Sequence, residues 1–157
     1  MLQYLIDGNN LIWKIPELKK LQKNESERTA AREKLLYKLQ RHFAGKKVQV
    51  TVFFDGAPHA KLGGAVKTKY SYERKADELI LEAIDALKTK HTATIVSSDR
   101  GITDYAKVNG CKIIKSEQFA ETLAKKGTGE NKEEIAKNMQ NEDWESIFGT
   151  SENERFN

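Results

Sequence analysis

The chain has 157 residues, of which 38% are hydrophobic, and this suits one compact domain with a sizeable core and a short appendage. No apolar run approaches the roughly twenty residues that span a bilayer, and Met1-Leu2-Gln3-Tyr4 does not open a basic, apolar leader, so we expect a cytoplasmic protein. Residues 1–126 carry 24 Lys and Arg against 15 Asp and Glu, whereas residues 127–157 carry 3 against 8, so the net charges are +9 and −5. A basic body suits a polyanionic partner and makes nucleic acid a leading candidate without excluding others.

The first third of the chain alternates strand and helix patterns, and both of its strands run into an aspartate. Residues 3–6 are apolar and lead into Asp7-Gly8-Asn9-Asn10, which predicts a strand meeting a turn. Apolar residues recur at helical spacing from about Glu27 to Ala44 and predict an amphipathic helix. Residues 48–54 are β-branched and aromatic and run directly into Asp55, which predicts a second strand.

The rest of the chain continues the alternation, with two more aspartates at the element ends. The predicted strands are residues 66–72, 92–96 and 111–114, and the predicted helices are residues 76–88, one ending near Val108, and one capped by Ser116. Asp77 lies in the first turn of the helix at 76–88, and Asp99 follows the strand at 92–96. This alternation favours a parallel α/β sheet, whose functional groups gather beyond the carboxyl ends of its strands.

Two segments are expected. Residues 1–126 are predicted to form the α/β domain, and residues 127–157 an acidic tail of short helices docked on that body through Trp144 and Phe148. The sequence leaves the oligomeric state open.

Four carboxylates are the feature that points to chemistry. A single aspartate after a strand is common, because Asp favours turns and helix caps. Here Asp7, Asp55 and Asp99 follow strands and Asp77 begins a helix, so one fold could bring all four together. Without a cation, four neighbouring carboxylates would repel one another or take up protons. Bound Mg²⁺ or Mn²⁺ would neutralise this repulsion. The scattered histidines and single cysteine make zinc an unlikely metal.

Four pieces of sequence carry a family resemblance, and together with the helices between them they cover roughly residues 3–125. They are Tyr4-Leu5-Ile6-Asp7-Gly8-Asn9-Asn10, Val52-Phe53-Phe54-Asp55-Gly56, Lys75-Ala76-Asp77-Glu78 and Val96-Ser97-Ser98-Asp99-Arg100. In this order they resemble the NYN branch of the PIN-like, metal-dependent ribonucleases, especially the bacterial endoribonucleases that act on messenger RNA at the ribosome. The resemblance implies a three-layer α/β/α fold with a mostly parallel sheet, and dependence on Mg²⁺ or Mn²⁺.

The resemblance also implies roles for particular residues. Asp7, Asp77 and Asp99 would be the central, metal-holding carboxylates, with Asp55 a further acidic position and Asn10 supporting that shell. Positive side chains flanking the site are the candidates for guiding RNA, although any individual one is more often a solvated charge than a phosphate ligand. They are Lys14, Lys67, Lys69, Arg74, Lys75 and Arg100. Tyr70 and Tyr72, which alternate with these cations, and Trp13 could stack on bases or simply pack.

Three functions are therefore compared. The leading prediction is a metal-dependent endoribonuclease that cleaves messenger RNA in a translation- or ribosome-linked setting. The second is a non-catalytic RNA- or ribosome-binding module with the same fold, which would have no use for carboxylates facing phosphates. The third is another acidic phosphotransfer domain, against which the absence of an Asp-x-Asp pair at Asp7 counts. Cleavage that depends on Asp7 and Asp77 separates the first from the others.

Overall fold

The computed structural model describes residues 1–58 and 66–128, with side chains placed up to Lys125. The strands are β1 Leu2–Asp7, β2 Val48–Phe54, β3 Val66–Tyr70, β4 Ala93–Val96 and β5 Lys112–Ile114. They form one sheet in the order β3-β2-β1-β4-β5, and each of its four pairings is parallel. All five strands therefore begin at one edge of the sheet, which we call the amino edge, and end at the other, the carboxyl edge.

In the part of the chain that the structure describes, six helices connect or follow the strands. They are α1 Gly8–Ile12, α2 Pro16–Lys19, α3 Glu25–Phe43, α4 Ala76–Ala86, α5 Arg100–Val108 and α6 Ser116–Thr128. A single 3₁₀ turn, Lys90–Thr92, leads into β4.

Each face of the sheet has its own apolar core. One core packs Leu35 and Leu39 of α3 and Phe119 of α6 against Val52 of β2. The other packs Ile80 of α4 and Ile102 of α5 against strand residues on the opposite face. Burying a side chain of this size stabilises the fold by roughly 1.5–3 kcal/mol. The predicted three-layer α/β/α architecture is confirmed, and the sheet that was expected to be mostly parallel is parallel in every pairing described.

Helix α4 ends at Ala86 rather than Lys88, and β1, β4 and β5 differ from the predicted strands by one residue at one or both ends. The differences at α3 and β3 have local reasons. Helix α3 begins at Glu25 rather than near Glu27, because the Asn24 side chain caps it by accepting from the Glu27 N–H at 2.9 Å. Strand β3 ends at Tyr70 rather than Tyr72. Tyr72 has a φ of +57° and its N–H donates to the Gly56 carbonyl at 2.7 Å, so the chain has already turned out of the strand.

The turn predicted at Asp7-Gly8-Asn9-Asn10 is wrong, because the chain enters α1 directly from β1. Asp7 is the N-cap of that helix. Helices α1 and α2 were not predicted, since five and four residues are too few to show a helical period.

The chain divides into two compact units, Met1–Leu123 and Ala124–Asn157. The predicted boundary after residue 126 stays a prediction, and the predicted docking of Trp144 and Phe148 lies outside the described residues. In the described part of the chain, no helix combines the length and the apolar character needed to cross a membrane.

Candidate active site

Asp7 lies at the carboxyl end of β1, and only 8% of it is exposed. Its Oδ1 accepts from the Asn10 N–H at 3.4 Å and its Oδ2 accepts from the Ser97 hydroxyl at 3.0 Å. The pKa of Asp7 is raised from 3.8 to about 6. Burial is the main cause and the negative charges of Asp55 and Asp99 add to it, while these two hydrogen bonds lower the pKa. The site is therefore built around a carboxylate whose charge is costly in its surroundings.

Ser97 joins the ends of β1 and β4. Its side chain is fully buried, and besides donating to Asp7 its Oγ accepts from the Asp99 N–H at 3.1 Å. Asp99 in turn caps α5 by accepting from the Ile102 N–H at 3.2 Å. Strand β1 lies between β2 and β4, so the gap between β1 and β4 is where the strand order reverses, the usual place for a ligand in such a sheet. The hydrogen bond from Ser97 to Asp7 joins residues 90 positions apart in the sequence, and it was not predicted.

Asp55 and Asp77 lie on either side of the start of α4. The Asp55 Oδ1 accepts from the Ala76 N–H at 2.7 Å, so Asp55 satisfies one of the free N–H groups of this helix end. The Asp55 N–H itself donates to the Asn9 side chain at 2.8 Å. Asp77 is in the first turn, as predicted, and its Oδ1 is buried without a hydrogen-bond partner among the described residues.

Asn10 connects three elements. Its Oδ1 accepts from the Ser98 N–H at 3.0 Å and from the Ser116 hydroxyl at 2.6 Å, and so ties α1 to the start of α6 and to the turn after β4. The prediction that Ser116 caps α6 is wrong. The Lys115 carbonyl accepts from the Phe119 N–H, which makes Lys115 the cap and leaves the Ser116 hydroxyl to donate to Asn10.

The carboxylates are close enough to interact but do not form a ready-made metal site. In residues 1–58 and 66–125, no three His, Cys, Asp or Glu side chains stand close enough to hold one ion. Asp55 and Asp99 act on the charge of Asp7, whereas Asp77 is not among the groups that shift its pKa. Two observations nevertheless fit a hard divalent cation. The buried Asp77 Oδ1 has no hydrogen-bond partner within residues 1–58 and 66–125, and the buried Asp7 carboxylate has a pKa raised to about 6.

The residues predicted to guide RNA have different surroundings. Lys67 and Lys69 are exposed on β3, Lys75 is exposed at the cap of α4, and Arg100 is exposed at the start of α5. Arg74 is paired with Glu78 at 3.0 Å and with Glu82, so its charge is largely satisfied within the protein.

The predicted aromatic residues also differ from one another. Tyr70 packs on the Phe54 ring, with a distance of 5.6 Å between centroids, whereas Tyr72 and Trp13 are exposed. Of these three residues, only Tyr72 and Trp13 therefore have rings exposed enough to stack on a base.

Glu117 is a further acidic group at this edge that was not predicted. It accepts a hydrogen bond from the Ser98 hydroxyl, and this bond, with the charges of Lys14 and Lys115, holds the pKa of Glu117 below its usual value. Lys14 therefore lies near the site. The sequence carries no signal for this contact, because Glu117 lies in the first turn of α6, where acidic residues are common.

The fold and the site define a parallel α/β domain whose candidate ligand site, at the carboxyl edge, carries acidic side chains of the kind that hard divalent cations prefer. The family model of the YacP-like NYN domain matches residues 4–156, and the chain belongs to this family. NYN domains are generally nucleases and typically depend on divalent metals, so the chain is a member of an RNA-related nuclease family.

Solved structures agree with this assignment. A tryptophan-to-leucine mutant of Rae1 (YacP) from Bacillus subtilis is 26% identical and has a TM-score of 0.65, over 80% of this chain and 79% of that one. A second structure of Rae1 (YacP) from Bacillus subtilis is 24% identical and has a TM-score of 0.68, over 88% of this chain and 84% of that one. No curated protein matches the chain significantly. The resemblance drawn from the sequence is confirmed at the level of the family.

Proposed function

We propose that this protein is a divalent-metal-dependent endoribonuclease, and that its substrate is messenger RNA in a translation- or ribosome-linked setting. The observation that carries the proposal is the buried Asp7, which lies at the reversal point of the sheet beside Asp99 and has a pKa raised to about 6. Membership of a nuclease family supports cleavage as the reaction. The messenger and ribosome parts depend on the resemblance of the four sequence pieces, and such a substrate would make the protein cytoplasmic.

The chain's own residues divide the work. Asp7, Asp77 and Asp99 would hold Mg²⁺ or Mn²⁺, which when bound supplies an activated water and neutralises charge on the phosphate. Ser97 orients Asp7 through its hydroxyl and holds the Asp99 backbone. Asn10 fixes the relative positions of α1, α6 and the turn after β4. Asp55 fixes the start of α4 and thereby the position of Asp77.

Cleavage of a long, end-labelled RNA in Mn²⁺ or Mg²⁺ tests the proposal, with EDTA as the metal-free control. Asp7→Asn and Asp77→Asn should each lower the rate at least about 100-fold while the proteins stay folded. Asp104→Asn changes the same group at an exposed position of α5 and should cut normally. If Asp7→Asn and Asp77→Asn cut like the wild type, the site assignment fails.

If RNA alone is not cut, a second assay supplies ribosomes that are translating a message. Cleavage that appears only there supports the translation-linked setting. RNA binding without cleavage in both assays would instead establish the binding-module alternative.

A further inference from the structure

The amino edge of the sheet carries a group of lysines, whereas the carboxyl edge carries acidic side chains together with cations such as Lys14 and Arg100. Residues 44–47, 87–92 and 109–112 lead into β2, β4 and β5 at the amino edge, and in sequence they contain five lysines and neither Asp nor Glu. These lysines, which we call the amino-edge lysine cluster, are Lys46, Lys47, Lys88, Lys90 and Lys112. The carboxyl edge instead gathers the acidic side chains of the candidate active site and Glu117.

The register of the strands keeps this cluster together. Leu2 pairs with Val48, Gln3 pairs with Ala93, and Thr94 pairs with Lys112, so these strand starts lie side by side. Neighbouring strands are about 4.8 Å apart, which puts the starts of β2 and β5 roughly 15 Å apart across three spacings. Burial raises the pKa of the Cys111 thiol, and the nearby charge of Lys90 offsets part of that rise, so the turns before β4 and β5 are adjacent.

Members of the cluster have distinct local roles. The Lys90 ammonium donates to the carbonyls of Ile84 at 2.8 Å and Leu87 at 3.1 Å, at the end of α4. Lys46 lies 5.8 Å from the centroid of the Phe43 ring. The side chains of Lys47, Lys88 and Lys112 are exposed, and they present positive charge to the solvent.

This cluster lies too far from the active site to offset its negative charge. Strand β1 has six residues, so the two edges are roughly 20 Å apart at about 3.3 Å per residue. The screening length at physiological salt is about 8 Å. RNA that meets the carboxylates of the carboxyl edge therefore gains little from these lysines unless a second part of the RNA reaches the amino edge.

We infer that the amino-edge lysine cluster is a second RNA-binding surface, which holds the phosphate backbone at a distance from the site of cleavage. The inference rests on the proposed function for the identity of the polyanion. The exposed Lys47, Lys88 and Lys112 come from segments that contain neither Asp nor Glu, and such lysines suit contacts to phosphates that do not depend on sequence. Asp85, whose carbonyl accepts from Lys90 at 3.2 Å, lies beside the cluster, and its carboxylate accepts from the Tyr105 hydroxyl. Protein interfaces are depleted in lysine and enriched in aromatic residues, so the composition favours RNA over an acidic protein.

The test compares two triple variants of the full chain that lose the same charge. One is Lys47→Ala with Lys88→Ala and Lys112→Ala. The matched control is Lys19→Ala with Lys20→Ala and Lys34→Ala, which removes exposed lysines on or beside α2 and α3. Binding of a labelled single-stranded RNA is measured by fluorescence anisotropy in EDTA over a series of salt concentrations, after circular dichroism has shown that both variants fold.

The amino-edge variant should bind about tenfold or more weakly at low salt, with the slope of log affinity against log salt reduced by about 2, since each lost contact to a single strand removes about 0.7. The control should stay close to the wild type. Equal losses in the two variants would overturn the inference. Polyglutamate that displaces RNA from the wild type as efficiently as unlabelled RNA does would also overturn it, in favour of an acidic protein partner.

Cleavage separates this inference from the proposed function. A short oligonucleotide that cannot reach both edges should be cut equally by the amino-edge variant and the wild type, whereas a long RNA at limiting concentration should be cut more slowly by the variant. If no protein cuts any RNA but the amino-edge variant still binds weakly, the proposed function fails and the second surface stands.

Discussion

Asp7 is held in surroundings that favour its protonated form. Its pKa is raised to about 6, mainly by burial and further by the charges of Asp55 and Asp99, although the hydrogen bonds from Ser97 and the Asn10 N–H lower it. A fold without a function at this position would gain from a neutral residue. The cost is consistent with a site that awaits a cation.

Asp7→Asn should therefore stabilise the protein in the absence of metal at pH 8. Because the folded-state pKa of about 6 lies above the ordinary 3.8, the stability linked to the protonated carboxyl is complete below 3.8 and is lost as the pH rises through 6. The corresponding gain for the variant is at most about 3 kcal/mol. Urea unfolding in EDTA at both ends of this pH window measures it.

Wild type and Asp7→Asn should have the same free energy of unfolding at the acidic end of the window, where the aspartate is protonated. Asp104→Asn, on the exposed side of α5, is the control, and its difference in stability from the wild type should not change with pH. Equal stabilities of Asp7→Asn and wild type at pH 8 would contradict the argument.

The carboxylates could be found from the sequence, whereas their supports could not. Asp7, Asp77 and Asp99 follow from local signals, a strand end or the first turn of a helix. The roles of Ser97 and Ser116 depend on hydrogen bonds to Asp7 and Asn10. These partners lie 90 and 106 positions away in the sequence, and no local pattern encodes such a bond.

At the scale of elements, the start of α4 depends on a side chain from another strand. The cap residue Lys75 makes no side-chain hydrogen bond to the helix, and the Asp55 carboxylate binds the Ala76 N–H instead. The Asn9 side chain fixes the Asp55 backbone in turn. From these contacts we propose that Asp55 positions Asp77 rather than holding a metal.

Two substitutions at Asp55 separate these roles. Asp55→Ala should lower the free energy of unfolding by about 1 kcal/mol, because the helix loses its cap. The same variant should slow cleavage about 10- to 100-fold, because Asp77 is displaced. Asp55→Asn keeps an oxygen acceptor for the Ala76 N–H and should retain most of the activity. Single-turnover rates and urea unfolding measure both effects, and an Asp55→Asn protein as inactive as Asp77→Asn would show that Asp55 holds the metal.

The packing of α1 on β2 leaves no space at Gly8. A Cβ added there would lie 2.5 Å from Phe54 Cε1 and 2.9 Å from the Phe53 carbonyl oxygen. Gly8→Ala should therefore displace α1, destabilise the protein by about 1–3 kcal/mol and slow cleavage, since Asp7 immediately precedes this helix. Thermal unfolding and cleavage rates measure the two effects.

Gly101→Ala provides the contrast to Gly8→Ala. Its added Cβ would meet the Asp99 carboxylate oxygen, at 3.1 Å, so it should slow cleavage with little loss of stability. A Gly8→Ala protein as stable as the wild type would contradict the packing argument.

For the whole molecule, the alternation of strands and helices predicted the parallel α/β class, but it did not define the sheet order. That order decides which aspartates become neighbours. Strand β1 lies between β2 and β4, and Asp55 and Asp99 follow those two strands. Their charges therefore raise the pKa of Asp7. Asp77 comes from a helix, and its position depends on the packing of that helix, which periodicity does not define.

Whether Asp7 and Asp77 serve one ion is therefore a question about the folded molecule, and linkage to unfolding answers it. Mn²⁺ at about 100 times its dissociation constant should stabilise the wild type by about 2.7 kcal/mol. If the two carboxylates share the ion, Asp7→Asn and Asp77→Asn should each abolish this gain, and the double variant should lose no more than either single variant. Asp55→Asn should keep the gain. Thermal unfolding with and without Mn²⁺ measures it, and a partial gain that persists in each single variant would mean separate sites, because each remaining carboxylate would then still hold its own ion.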